Sequence, residues 1–276
     1  MMNMLRGFAL TSKSMGLKVA FKEALRRAFS INYRYNNIPI KSSISFRVMR
    51  SMVLKGYDIL ESKGEVIVHT PFGDIGVDAA DIDLLGVLEE PLDEMYMYVD
   101  VKDAVVIDIG AFIGETALLF LSKGARKVYA FEPLERHFGY LVRNLNRNNA
   151  VSRAVPLKYG AWHRETTVSV GYERTGTGLH ASGDELVTLR MKHLSDILKT
   201  VYNREGVIDL VKMDCEGCEY SLLVLGEGEL KLSRQYIVEV HGSEVPILDR
   251  MAECSYTVKP VLRLNQFVAV YLFTHR

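Results

Sequence analysis

Apolar and polar positions change their rhythm near residue 104. Before it, residues 15–29 place Leu17, Phe21, Ala24, Leu25 and Ala28 on one helical face, while Lys18, Lys22 and Arg26 recur every four residues on another. That spacing predicts an amphipathic helix with a cationic polar face. Asn36-Asn37-Ile38-Pro39 predicts a turn, and residues 64–78 predict a β-hairpin around Phe72-Gly73-Asp74. From residue 104 onward, short apolar runs alternate with helical patterns, the texture of a parallel sheet with crossover helices. Residues 105–110, 127–132, 155–161, 167–172, 209–214 and 236–241 are expected strands. Residues 115–123 are an expected helix stopped by Gly124, followed by helices over 134–148 and 245–254. Residues 256–262 and 267–274 are expected to close the sheet as a hairpin, making the last strand antiparallel. The fold class is therefore α/β: a Rossmann-like, mostly parallel sheet over residues 101–276, with an α+β extension over residues 1–100.

Composition narrows the class. A chain of 276 residues with 48% hydrophobic residues can bury a full core. The longest apolar candidate, residues 104–121, is broken by Asp108 and Glu115, so no transmembrane segment is expected. The first residues lack the apolar run and cleavage site of a signal peptide, and three cysteines are too few for a disulfide framework. A cytoplasmic protein is expected, with peripheral membrane contact open to it.

Charge is more informative than the net value of zero. Residues 1–55 hold eleven Lys and Arg against Glu23 alone, +10, whereas residues 56–103 hold thirteen acids against Lys63 and Lys102, −11. Such blocks pair with each other or meet a charged partner. For residues 1–55 the charged partners are an anionic membrane surface or RNA.

Four strings carry candidate chemistry. Asp108-Ile109-Gly110-Ala111-Phe112-Ile113-Gly114-Glu115-Thr116 is a strand that breaks into a glycine loop and opens a helix, suited to close backbone approach to a ligand. Phe112 stands where a dinucleotide fingerprint needs its middle glycine, and no Gly-Lys-Ser/Thr follows for a P-loop. A ligand without a pyrophosphate, such as S-adenosylmethionine, tolerates that bulk. Glu132-Pro133 ends the next strand with an acid placed to accept hydrogen bonds from ribose hydroxyls. Ala161 and Trp162, at the end of the following strand, complete the expected cofactor-binding set with Asp108, Gly110, Ala111, Phe112, Gly114, Glu115, Thr116, Glu132, Pro133 and Asp214. Asp214 and Glu216 end a later strand at the ligand edge of the sheet, and Glu239 and His241 share one face of the strand after it. Asp214, Glu216 and His241 are the candidate catalytic residues.

Taken together, these strings resemble the FkbM-type methyltransferase family. Its D-x-G-A-x-x-G loop stands here as Asp108 to Gly114, its A-F-E-P strand end as Ala130 to Pro133, and its K-x-D-x-E-G-x-E segment as Lys212 to Glu219. The resemblance covers roughly residues 100–275 and implies a class I methyltransferase fold, S-adenosylmethionine as methyl donor and, usually, O-methylation of a hydroxyl on a sugar, glycolipid or other small molecule. RNA methylation is the rival acceptor, supported by the basic first 55 residues, and a non-catalytic nucleotide-binding protein is a third reading. The tetrad typical of base-amine methylation is absent: the strand end is Met213-Asp214-Cys215-Glu216. No metal is required, although Asp214 and Glu216 could hold a divalent ion. Cys215-x-x-Cys218 is a candidate redox pair or half zinc site, but the two cysteines fill variable positions of the family segment and are expected to be incidental small residues. Cys254 is expected in the core.

Overall fold

The computed structural model describes residues 11, 13, 15–20, 22–23, 33–35, 38–40, 42–172, 179–180 and 185–275. They fall into two compact units, the first ending at Glu90 and the second beginning at Pro91. The amphipathic helix expected over 15–29 lies largely outside the described residues. Positions 15, 17–20 and 22–23 are helical, with Ala20 buried. Asn36 and Asn37 of the expected turn also lie outside them.

In the first unit, β1 (Tyr33–Tyr35) and β2 (Ile38–Ile40) pair antiparallel, and helix α1 (Ser43–Leu54) follows. Ser42 and Ser45 cap α1 reciprocally, each hydroxyl accepting the other residue's backbone N–H at 2.9 Å. Phe46, Val48, Met49 and Met52 form its buried stripe. Strands β3 (Asp58–Ser62), β4 (Glu65–Thr70) and β5 (Gly73–Asp78) make an antiparallel sheet in chain order. The hairpin expected over 64–78 is present. Thr70 pairs with Gly73, which puts its turn at Pro71-Phe72, and β3 adds a third strand the sequence pattern did not suggest. A 3-10 segment, Ala79–Glu89, closes the unit. The basic and acidic blocks meet here: Arg47 pairs with Glu89 at 3.1 Å, and Lys55 donates to the carbonyls of Leu88 and Glu90.

The second unit is built on seven strands. After the short helix α2 (Leu92–Met95) come β6 (Val105–Ile109), α3 (Glu115–Ser122), β7 (Lys127–Phe131), α4 (Glu135–Arg147) and β8 (Ala154–Leu157). Later in the chain lie α5 (Leu194–Glu205) and β13 (Ile208–Met213), then α6 (Glu227–Leu230), β14 (Ser233–His241), α7 (Val245–Glu253), β15 (Thr257–Arg263) and β16 (Val268–Thr274). The order across the sheet is β15-β16-β14-β13-β6-β7-β8. Every described ladder among the inner strands is parallel, but β16 runs antiparallel to both β14 and β15. The expected antiparallel last strand is thus inserted one place in from the edge. All five residues of β6 are buried, as a strand covered on both faces requires.

Two expectations change. The strand expected over 155–161 is broken, and Gly160–Trp162 forms β9 of a second, four-stranded sheet ordered β11-β10-β12-β9. Here β10 is Thr166–Tyr172, β11 is Leu179–His180 and β12 is Glu185–His193. The strand expected over 167–172 therefore belongs to this mixed sheet, in which β10 runs antiparallel to β11 and β12 while β9 runs parallel to β12, and not to the main array. Pro156 suits the outcome, because β8 is an edge strand where a missing N–H costs no ladder bond.

Candidate active site

The ligand edge of the main sheet is formed by loops leaving β6, β7, β13 and β14. Between β6 and α3 the chain turns through three left-handed residues, Gly110 (φ +79°), Phe112 (φ +44°) and Gly114 (φ +100°). A Cβ on Gly110 would lie 1.8 Å from the carbonyl oxygen of Asp214, so the glycine loop meets the end of β13 backbone to backbone. The N–H groups of Gly110 and Ala111 both donate to Phe131 O at 3.0 Å, tying the loop to the end of β7.

Beneath this loop Asp108 is fully buried and ionically paired to Lys212 at 3.1 Å, while its other oxygen accepts from Thr116 at 2.7 Å. Lys212 also donates to Gly110 O at 2.7 Å and lies 3.9 Å from Asp214. Burial disfavours the ammonium, but Asp108, with Asp214 and Glu115, outweighs that and holds its pKa above the ordinary lysine value. Lys212 thus clamps the glycine loop to the acidic strand end. Its signal in the sequence is a lysine among the apolar residues of β13, which demands a buried partner.

Glu132 is buried, and its two oxygens accept backbone N–H groups from Phe112 (3.1 Å) and Leu134 (2.9 Å). Burial pushes its carboxyl up to about 8 against the pull of those two N–H groups. The Phe112 ring packs edge-on against His137, centroids 4.3 Å apart. Ala161 is fully buried in the core of the sheet, with the partly buried Trp162 packed against it.

At the ends of β13 and β14 the acids converge on one imidazole. His241 Nδ1 lies 3.2 Å from Glu219, and Nε2 lies 3.5 Å from Glu239 and 3.8 Å from Glu216. Glu219 is itself fully buried and accepts the backbone N–H of His241 and of Gly217, each at 2.8 Å. Burial works against a charged His241, yet hydrogen bonding to Glu219 and Glu239, with Glu216 nearby, raises its pKa to about 11. Burial likewise lifts Asp214 to about 6, with Lys212 opposing. Tyr220 pins the loop beyond β14 by donating to His241 O and Ser243 O. Asp214, Glu216 and His241 are thus brought together, in company with Glu239 and with Glu219, the last acid of the Lys212–Glu219 segment, to which the sequence assigned no role.

The cysteines differ from expectation. Cys215 and Cys218 are joined by a disulfide, Cα atoms 5.5 Å apart, so they are bridged and not two incidental small residues. The turn at Cys215–Cys218 places the two Cα atoms within the range a disulfide requires. Cys254 is buried as expected.

A mostly parallel sheet with an antiparallel β16, and a glycine loop set against an acidic strand end, define a class I Rossmann-like methyltransferase. The chain belongs to the FkbM methyltransferase domain family, which matches residues 108–258, and is an S-adenosylmethionine-dependent methyltransferase. No curated protein matches it in sequence. Among solved structures, M. jannaschii TYW2 in complex with AdoMet is 18% identical, covering 79% of this chain and 88% of its own, with a TM-score of 0.44. M. capricolum TrmK in complex with S-adenosyl-homocysteine is 14% identical, covering 66% of each chain, with a TM-score of 0.40. The METTL16 methyltransferase domain is 13% identical, covering 95% of this chain and 81% of its own, with a TM-score of 0.42. Among the described residues, no helix is long and apolar enough to cross a membrane.

Proposed function

We propose that the protein methylates a hydroxyl group on a sugar, glycolipid or other small-molecule acceptor. The observation that carries this reading is the convergence of Asp214, Glu216, Glu239 and His241 beside the Gly110 loop, a site rich in groups that hold and deprotonate a hydroxyl. The strand end Asp214-Cys215-Glu216 supplies no aromatic platform for a base amine.

The residues fit the cofactor. Glu132 is a buried carboxylate whose oxygens keep a second lone pair each after binding Phe112 and Leu134, as a ribose diol requires. Glycine at 110 keeps the loop floor open where a side chain would strike Asp214. Asp108, Gly110, Ala111, Phe112, Gly114, Glu115, Thr116, Glu132, Pro133 and Asp214 would hold it, with Ala161 and Trp162 walling the far side. Bound there, it supplies an electrophilic methyl group. Asp214 and His241 orient the acceptor oxygen, and Glu216, the most exposed acid of the cluster and set on a left-handed corner (φ +55°), takes its proton. Alignment accounts for several kcal/mol of barrier, and a general base adds ~10²–10⁴-fold. Residues 1–55 would bring the enzyme, from the cytoplasmic side, to the anionic surface that presents the acceptor.

Isotope transfer from labelled S-adenosylmethionine into fractionated glycans, lipids and RNA of cells lacking the protein tests this. Label in an alkali-stable ether of a glycan or lipid is expected. Label confined to RNA would overturn the reading.

A further inference from the structure

We infer that Asp214, Glu239 and His241 form a binding site for one divalent transition-metal ion. One ligand atom from each residue lies within 4.8 Å of the others, so small side-chain rotations bring them onto a common centre. They come from two adjacent strands of the sheet, Asp214 just past β13 and the other two on β14.

The histidine is oriented for this, and a bound ion would displace the proton on Nε2. Glu219, held rigidly by two backbone N–H groups, takes Nδ1 and leaves Nε2 turned toward Glu239. A carboxylate fixing one ring nitrogen while the other faces a cation is the arrangement that orients metal-bound imidazoles.

An independent observation points to a cation. Oε2 of Glu239 is buried and accepts no hydrogen bond among the described residues. A carboxylate oxygen withdrawn from water without a partner is costly, and a metal ion supplies the missing partner. The local charge agrees. Asp214, Glu216, Glu219 and Glu239 surround one imidazole, while Lys212 is committed to Asp108 and Gly110 O and reaches Asp214 only at 3.9 Å.

The donor set selects the ion. Two carboxylates with an imidazole nitrogen suit Mn²⁺ or Zn²⁺ better than Mg²⁺ or Ca²⁺, which prefer all-oxygen cages. Three protein donors leave positions open for an acceptor oxygen beside Glu216. That last use rests on the O-methylation reading; binding of the ion does not.

The test is titration of the full-length protein, stripped with chelator and desalted, with Mn²⁺ followed by electron paramagnetic resonance of the free ion, and with Zn²⁺ as competitor. One tight equivalent is expected in the parent. Glu219→Gln should weaken binding by about tenfold or more, and Glu239→Gln and Asp214→Asn by more than that, each shown folded by circular dichroism. His69→Ala, which removes an exposed His–Asp pair elsewhere, should leave the titration unchanged. Absence of a tight equivalent in the parent, or an unaltered titration in both Glu239→Gln and Asp214→Asn, would overturn the site. If one of these two variants fails to fold, the other decides. Label appearing only in RNA would sink the O-methylation reading and leave this titration as it stands.

Discussion

Lys212 and Asp108 occupy paired register positions on adjacent parallel strands and face each other at 3.1 Å with side chains 1% and 0% exposed. A buried ion pair of this kind fixes geometry more than it adds stability, because each charge has been taken from water. Removing one partner is the damaging change. Lys212→Met should lower unfolding free energy by about 3–5 kcal/mol, measured by urea titration. The double variant Lys212→Met/Asp108→Leu should recover much of that while still losing cofactor binding, since the clamp on Gly110 O is gone. A single Lys212→Met variant as stable as the parent would show that the pair is not what orders the loop.

Glu132 sets a pH dependence of its own. In the unfolded chain it loses its proton near 4.5, whereas burial in the native protein retains the proton to about 8. The native state therefore binds more protons over that interval, and this group's contribution to stability falls as pH rises from about 4.5 to 8. Glu132→Gln should flatten that slope in melts taken across the range. A carboxylate that accepts ribose hydroxyls works best ionised, so cofactor binding near neutral pH should release a proton. Calorimetry in buffers of different ionisation heat measures it. Binding heats that do not vary with buffer would remove Glu132 from the ribose role.

The Cys215–Cys218 bridge closes a loop of four residues between two acids of the site. Chain-entropy reasoning gives such a short loop about 2 kcal/mol of stabilisation, a few degrees in melting temperature. Reductant and the Cys215→Ser/Cys218→Ser double variant should lower the melt equally. Alkylation mass spectrometry without reductant should label at most one cysteine, Cys254, and only after unfolding.

The +10 block over residues 1–55 should carry the intact protein onto vesicles rich in anionic phospholipid. Each Lys or Arg near such a surface contributes about 1 kcal/mol that salt screens. Co-sedimentation is expected at low ionic strength and should be lost at high ionic strength. Equal sedimentation with neutral vesicles would remove electrostatics as the cause.

Much of this site was legible in the sequence because its parts sit at strand ends, where apolar runs stop abruptly at Asp108, Glu132, Asp214 and His241. The inner strands of the main sheet were legible for a related reason: covered on both faces, they stand out as short, mostly apolar runs. The elements that the hydrophobic pattern did not predict include β12 and α5. In β12, Leu189 and Met191 are buried while the exposed Leu186 and Arg190 blur the alternation. Helix α5 is not among the expected elements, although Leu194, Ile197, Leu198 and Val201 keep a helical period and Gly206 ends it in a left-handed turn. The role of Glu219 was not legible, because its burial depends on the 3-10 turn at Cys218–Val224 and on the distant backbone of His241.

The placement of β16 sets an order of assembly. Because β16 lies between β14 and β15, β14 remains an open sheet edge while a nascent chain has emerged only as far as Arg263. Its outward row of backbone donors and acceptors is then exposed along the strand that carries Glu239 and His241. Pairing of residues 268–274 along β14 is therefore what closes that edge, and until it forms the strand carrying Glu239 and His241 is open to pairing with another strand.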